Sequence, residues 1–188
     1  MLRKILAIPL VLVTSLAMAD TLDVGLSNTT AQFKYGVASG LAGKSEIYAE
    51  LMYNDTNSVL GGVGLLVAND EINTPGLTIG IGAKAVASTI KTTPNRTSNS
   101  AVALGAQARY ELPAERRVAF AGGFYFAPQI ITFGDASQYQ QYGARAEFSI
   151  SPQMQVYAGY RKTWFNMKTT GAEEVLIDGP HLGMQLSF

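Results

Sequence analysis

The sequence predicts an all-β protein: an antiparallel transmembrane β-barrel of about ten strands, with eight as the alternative. Three observations carry this reading. From Asp20 onward the chain runs in short segments whose apolar and polar residues alternate, turn residues separate those segments, and no later stretch is apolar and long enough to cross a bilayer as a helix. Alternation at a period of two puts successive side chains on opposite faces of a strand, so each segment offers one apolar and one polar face.

The first nineteen residues read as a secretory signal peptide that directs export through the Sec pathway. Arg3 and Lys4 supply the positive start, Ile5 to Leu16 the apolar stretch, and Ala17-Met18-Ala19 the small-x-small cleavage site before Asp20. Pro9 interrupts the apolar stretch, which falls short of the roughly 20 residues of a spanning helix. Residues 20–188 then form one barrel domain.

The expected strands are Thr21 to Asn28, Gln32 to Leu41, Ser45 to Asn54, Ser58 to Ala68, Leu77 to Lys91, Ser100 to Leu112, Val118 to Ala127, Tyr139 to Ser151, Gln155 to Met167 and Asp178 to Phe188. An even number is needed if both termini lie on the periplasmic side. A first hairpin lying outside the wall, turning at Ser27-Asn28-Thr29-Thr30, would leave eight. Pro75, Pro94, Pro113, Pro128 and Pro152 fall between strands, where a missing backbone donor does no harm. The longer connections, Thr92 to Asn99, Pro128 to Gln138 and Lys168 to Val175, are placed on the extracellular side.

One face carries Leu22, Val24, Leu26, Phe33, Tyr35, Val63, Ile79, Ile81, Leu104, Phe120, Phe124, Phe148, Tyr160 and Trp164. Facing lipid, its aromatics should gather toward the two interfaces, with Phe33, Tyr35, Tyr53, Phe124, Tyr142, Tyr160 and Trp164 extracellular and Tyr110, Phe120, Phe148 and Phe188 periplasmic. The opposite face carries charges interleaved with glycine and alanine. That mixture is a poor coat against water but suits a narrow interior.

The charged lumen set is Asp23, Lys34, Glu46, Glu50, Lys84, Arg109, Glu111, Arg145, Glu147 and Arg161, joined by His181. Charges in a narrow, partly dry lumen are costly unless paired, so a mutually neutralising plug is the leading expectation. The function expected is structural or one of surface interaction, without catalysis. A narrow porin-like channel for small solutes or ions is the alternative, since a ten-strand interior leaves more room than side chains of an eight-strand barrel fill. A third reading is an acyl hydrolase or transferase using His181 with Ser27 and Asp178, which needs those groups within hydrogen-bond reach of one another. No G-x-S-x-G is present.

Composition excludes other classes. Fourteen basic and fourteen acidic residues give a net charge of zero, so no electrostatic footprint for nucleic acid exists. One histidine and no cysteine leave no metal-ligand set, and no cofactor is expected. Gly61-Gly62-Val63-Gly64 sits within a strand and opens no helix, so it is not a nucleotide loop.

The closing segment places Leu182, Met184, Leu186 and Phe188 on one face and ends on an aromatic residue. It resembles the final strand of bacterial outer-membrane barrels, which implies that these four residues form the signal read by the barrel assembly machinery. Together with the start Asp20-Thr21-Leu22-Asp23-Val24-Gly25-Leu26-Ser27, the strand Leu60-Gly61-Gly62-Val63-Gly64-Leu65 and the ending Gly179-Pro180-His181-Leu182-Gly183-Met184-Gln185-Leu186-Ser187-Phe188, the chain resembles the YfaZ-type family of small bacterial outer-membrane β-barrel proteins along its whole length. The resemblance implies a signal peptide, a barrel and a Gram-negative outer-membrane address, and brings no reaction or ligand. Expected partners are outer-membrane lipids, lipopolysaccharide and, during biogenesis, the assembly machinery, with the protein otherwise a monomer.

Overall fold

A computed structural model describes residues 20–40, 44–56, 58–70, 74–91 and 96–188. The cleavage residues Ala17 and Ala19, and Thr92 to Asn95 of the expected polar loop, lie outside these described residues. The strands are β1 (Asp20–Ser27), β2 (Thr30–Ala38), β3 (Lys44–Asn54), β4 (Val59–Asn69), β5 (Leu77–Lys91), β6 (Arg96–Glu111), β7 (Val118–Ala127), β8 (Thr132–Gly134), β9 (Ala136–Ser151), β10 (Met154–Met167) and β11 (Glu173–Ser187).

All but β8 form the wall, each antiparallel to its neighbours, and β11 pairs with β1 to close a ten-strand barrel. The seam runs from Thr21 opposite Ser187 to Ser27 opposite His181. It is extended by the Phe188 amide, which donates to the Asp20 carbonyl at 2.9 Å. Closure satisfies every ladder without leaving a free edge. The first hairpin belongs to the wall, which settles the count at ten. Its turn is held by Ser27, whose Oγ accepts from the Thr30 amide at 3.0 Å.

Strand bounds match the alternation closely, and β5 and β7 coincide with it. At the termini-side end β2 stops at Ala38, with the expected Leu41 outside the described residues, and the larger differences lie at the end away from the termini. There β6 begins at Arg96, β9 at Ala136 and β11 at Glu173, so backbone pairing reaches into segments read as loops. The connection between β7 and β9 turns through a 3-10 segment at Gln129–Ile131 and then lays β8 against Asn99 to Ala101 of β6. Gly134 makes this possible: its φ is +86°, and a Cβ there would stand 2.3 Å from the Ser98 carbonyl oxygen.

The outer face is apolar at mid-strand. Val63 is 59% exposed, Ile81 68% and Leu104 61%. Such side chains in a continuous belt are unfavourable in water and are the surface a hydrocarbon layer covers. The belt ends on the loop side at an ionic group, where Lys162 meets Glu173 at 3.0 Å and Tyr160 donates to Asp178. Two aromatics differ from expectation. Tyr35 belongs to the termini-side rim, its hydroxyl donating to Asp20 at 2.7 Å, because β2 starts at Thr30 and ends at Ala38. Trp164 faces outward but is only 7% exposed, because the Tyr142 ring meets its edge and the Lys162 ammonium sits over it.

Candidate functional site

Inward positions divide the lumen into two halves of different chemistry. On the loop side the face turned inward is largely apolar, with Ser88 and Asn99 as buried polar exceptions: Met52, Leu60, Val86, Ile90, Ala101, Ala103, Ala127, Tyr139, Phe165, Met167 and Leu176 belong to one buried cluster, with Ile131 packed against it. Leu60, Ala127, Tyr139 and Phe165 have no exposure at all. A bulge opposite Thr163 and Trp164 places both Leu176 and Ile177 in the buried layer. Burying this much apolar surface drives the loop-side half to fill itself.

On the termini side the inward face is polar and encloses a chamber of about 350 Å³. Exposure falls along its depth. The side chains of Arg109 and Glu111, near the rim, are 33% and 36% exposed, whereas those of Lys84 and Glu50, midway along their strands, are 1% and 4%. The chamber therefore opens toward the termini and ends blind beneath the apolar cluster.

The ionic side chains are cross-linked between strands. Arg145 donates to Asp23 at 2.8 Å and to Glu147 at 2.8 Å, and Arg109 donates to Glu147 at 2.7 Å and to Glu111 at 3.3 Å. Tyr157 completes this chain by donating to the other oxygen of Asp23 at 2.5 Å, and the Arg145 guanidinium lies 4.4 Å from its ring centre. Deeper in the barrel, Lys84 donates to Glu50 at 2.8 Å and to Gln141 at 2.5 Å, under the rings of Tyr125 and Tyr139. Lys34 meets Glu46 at 3.2 Å, and Glu46 also accepts from Thr21 at 2.8 Å. Charge-assisted bonds of this kind offset the desolvation each ion suffers.

Arg161 and His181 stand apart. Among the described residues Arg161 forms no hydrogen bond or ion pair, although Glu50 and Asp23 attract it through space. His181 is 6% exposed, its ring resting edge-on against Tyr157 at 5.7 Å, and neither ring nitrogen makes a well-formed hydrogen bond, although the Gly179 backbone interacts with the ring. At the termini-side rim, where β3 begins, the Lys44 ammonium bonded to Asp70 holds that carboxyl below the usual carboxylate range. The sign follows: the pair contributes above the unfolded carboxylate pKa near 4 and is lost as pH falls below it, and being exposed it contributes little.

The hydrolase constellation is not assembled. Ser27 and His181 are directly opposite on β1 and β11, but the Ser27 hydroxyl is used in the first turn. Asp178 lies on the outer face, bonded to Tyr160, and cannot orient His181 from there. The expected assembly residues Leu182, Met184 and Leu186 lie opposite Leu26, Val24 and Leu22 across the seam, and Phe188 is 71% exposed at the rim.

Four buried inward tyrosines were not singled out from the sequence: Tyr48 and Tyr125 line the chamber, Tyr157 braces Asp23 behind it, and Tyr139 belongs to the apolar cluster above it. Parity alone could have found them, since Tyr125 stands two residues beyond Gly123 and Tyr157 two beyond Gln155 on the polar face.

The family described as "YfaZ precursor" matches residues 2–188. The chain belongs to the YfaZ family. No curated protein matches it. Among solved structures, the NanC porin is similar at 10% identity and a TM-score of 0.48, over 92% of this YfaZ-family chain and 99% of that one. The outer membrane channel DcaP of Acinetobacter baumannii gives 12% identity and a TM-score of 0.43 over 88% of the chain, which spans only 54% of that channel. The outer membrane protease OmpT from Escherichia coli gives 8% identity and a TM-score of 0.42 over 91% and 93%.

Proposed function

We propose that this YfaZ-family chain is an integral protein of the Gram-negative outer membrane, exported by a signal peptide cleaved before Asp20, whose lumen is closed and which serves a structural or surface-contact role rather than catalysis. The belt of Val63, Ile81 and Leu104 supports the membrane address. The termini face the periplasm in this reading, so the chamber opens inward to the cell and the loop-side connections face out.

The observation that carries the closed lumen is the loop-side cluster around Leu60, Tyr139 and Phe165, each without exposure. Ions cross apolar constrictions only if these wet, and here side chains fill the space instead. The charge network then acts as internal bracing, tying β1, β6 and β9 through Asp23, Arg109, Arg145 and Glu147.

Recording from purified protein in planar bilayers tests this. Wild type should be silent, as should Arg145→Ala, because the seal is apolar. Leu60→Ala combined with Phe165→Ala should give measurable conductance. Steady conductance from wild type would replace this reading with the narrow channel.

A further inference from the structure

The lumen acids and cations are equal in number but not in bonding. Asp23, Glu46, Glu50, Glu111 and Glu147 each accept from a cation, and four cations, Lys34, Lys84, Arg109 and Arg145, serve all five. Arg161 is left over, lining the deep part of the chamber. Across the ladder, Gly159 is opposite His181 and Arg161 opposite Gly179, so Arg161 and His181 are diagonal neighbours on the same inward face. His181 lines the same chamber with no well-formed hydrogen bond at either nitrogen, only the Gly179 backbone interacting with its ring, and Thr163, the next inward residue after Arg161, has an unpartnered hydroxyl as well. Arg161, His181 and Thr163 thus share one patch of β10 and β11, and Arg161 is the one lumen ion among the described residues that no other side chain bonds, the remaining unpartnered groups of the wall, Asn99 and Trp164, being uncharged.

We propose that Arg161 and His181 form a binding site for a small oxyanion, a carboxylate or phosphate group, entering the chamber from the termini side. The guanidinium presents a donor fork that matches two oxygens of either group, and the imidazole beside it, whose nitrogens are covered in this conformation, supplies one further donor on turning toward the chamber. Volume agrees: a chamber of about 350 Å³ holds a small solute bearing such a group. Since total lumen charge balances, selectivity comes from the unbonded fork and not from a long-range field. The site goes beyond the proposed role of the barrel and does not depend on whether the loop-side seal conducts.

The test uses the mature protein in detergent micelles at constant ionic strength, titrated separately with inorganic phosphate and with acetate while arginine Nε and histidine ring signals are followed by NMR. The expected result is a saturable shift of Arg161 and His181 with Arg145 and Arg109 little moved. Arg161→Gln should weaken binding roughly ten- to hundredfold, the range for losing bonds to a charged group. Arg161→Lys should retain part of it. Saturation by phosphate alone or acetate alone identifies the group recognised, and either supports the site. Linear, non-saturating shifts, or saturation unchanged in a folded Arg161→Gln protein, overturns it. Heat-modifiable migration of each variant establishes folding, and His181→Asn provides an independent variant if Arg161→Gln does not fold.

Discussion

The Lys84 ammonium sits 2.8 Å from the Glu50 carboxylate, with both side chains sealed between the polar chamber and the apolar cluster. Neither partner can be removed without stranding the other. Glu50→Gln or Lys84→Met alone should destabilise the barrel by about 3 to 5 kcal/mol, the usual cost of an uncompensated buried charge. The double replacement Glu50→Leu with Lys84→Met should recover most of that loss. Urea unfolding from lipid vesicles, followed by gel migration without boiling, measures it; single variants as stable as wild type would contradict the pairing.

The outer belt makes a second prediction. Leu104, 61% exposed at mid-strand, should tolerate Leu104→Ile, whereas Leu104→Arg should cost roughly 2 to 4 kcal/mol in a bilayer. Equal folding yields into vesicles for both would remove the case for lipid contact on this face.

Packing inside the barrel supplies a third. A Cβ at Gly183 would come within 2.2 Å of the Tyr157 ring, while at outward Gly61 it would meet nothing within 4 Å. Gly183→Val should therefore push Tyr157 off Asp23 and cost about 1 to 3 kcal/mol, as overpacking does. Gly61→Val should be neutral or slightly stabilising. A vesicle unfolding midpoint unchanged by Gly183→Val would mean that Tyr157 is not held where the structure places it.

Much of this architecture was legible in the sequence because a barrel wall writes its two faces at a period of two. Asp23, Lys34 and Arg145 could be assigned to the same side as Gly36 and Gly143 from parity alone. The loop-side seal could not, because around Met52, Leu60, Val86 and Phe165 both faces are apolar and alternation loses its contrast. Bonding partners were equally hidden: which acid Arg145 meets depends on the stagger of β1, β9 and β10, which is a property of closure and not of any one strand. β8 escaped notice because three residues are too few to show a period, and its pairing with β6 is fixed by the turn at Gly134.

A fourth prediction concerns the end of the chain. Deleting Phe188 removes both an exposed ring and the amide that bonds Asp20, so insertion should slow more than export does. Pulse-labelled protein lacking Phe188 that reaches the outer membrane at the normal rate would contradict it.

The seam has a temporal consequence. Most wall pairs join strands adjacent in the chain and can form as local hairpins, but Thr21 meets Ser187 only after nearly the whole chain has been gathered. Until that moment β1 and β11 each hold an unsatisfied backbone edge, the state most open to mispairing with another chain. Lesions at Leu22, Val24, Met184 or Leu186 should thus lengthen the life of an open sheet without weakening the finished cylinder in proportion. Their harm would be read in misassembled material accumulating during biogenesis.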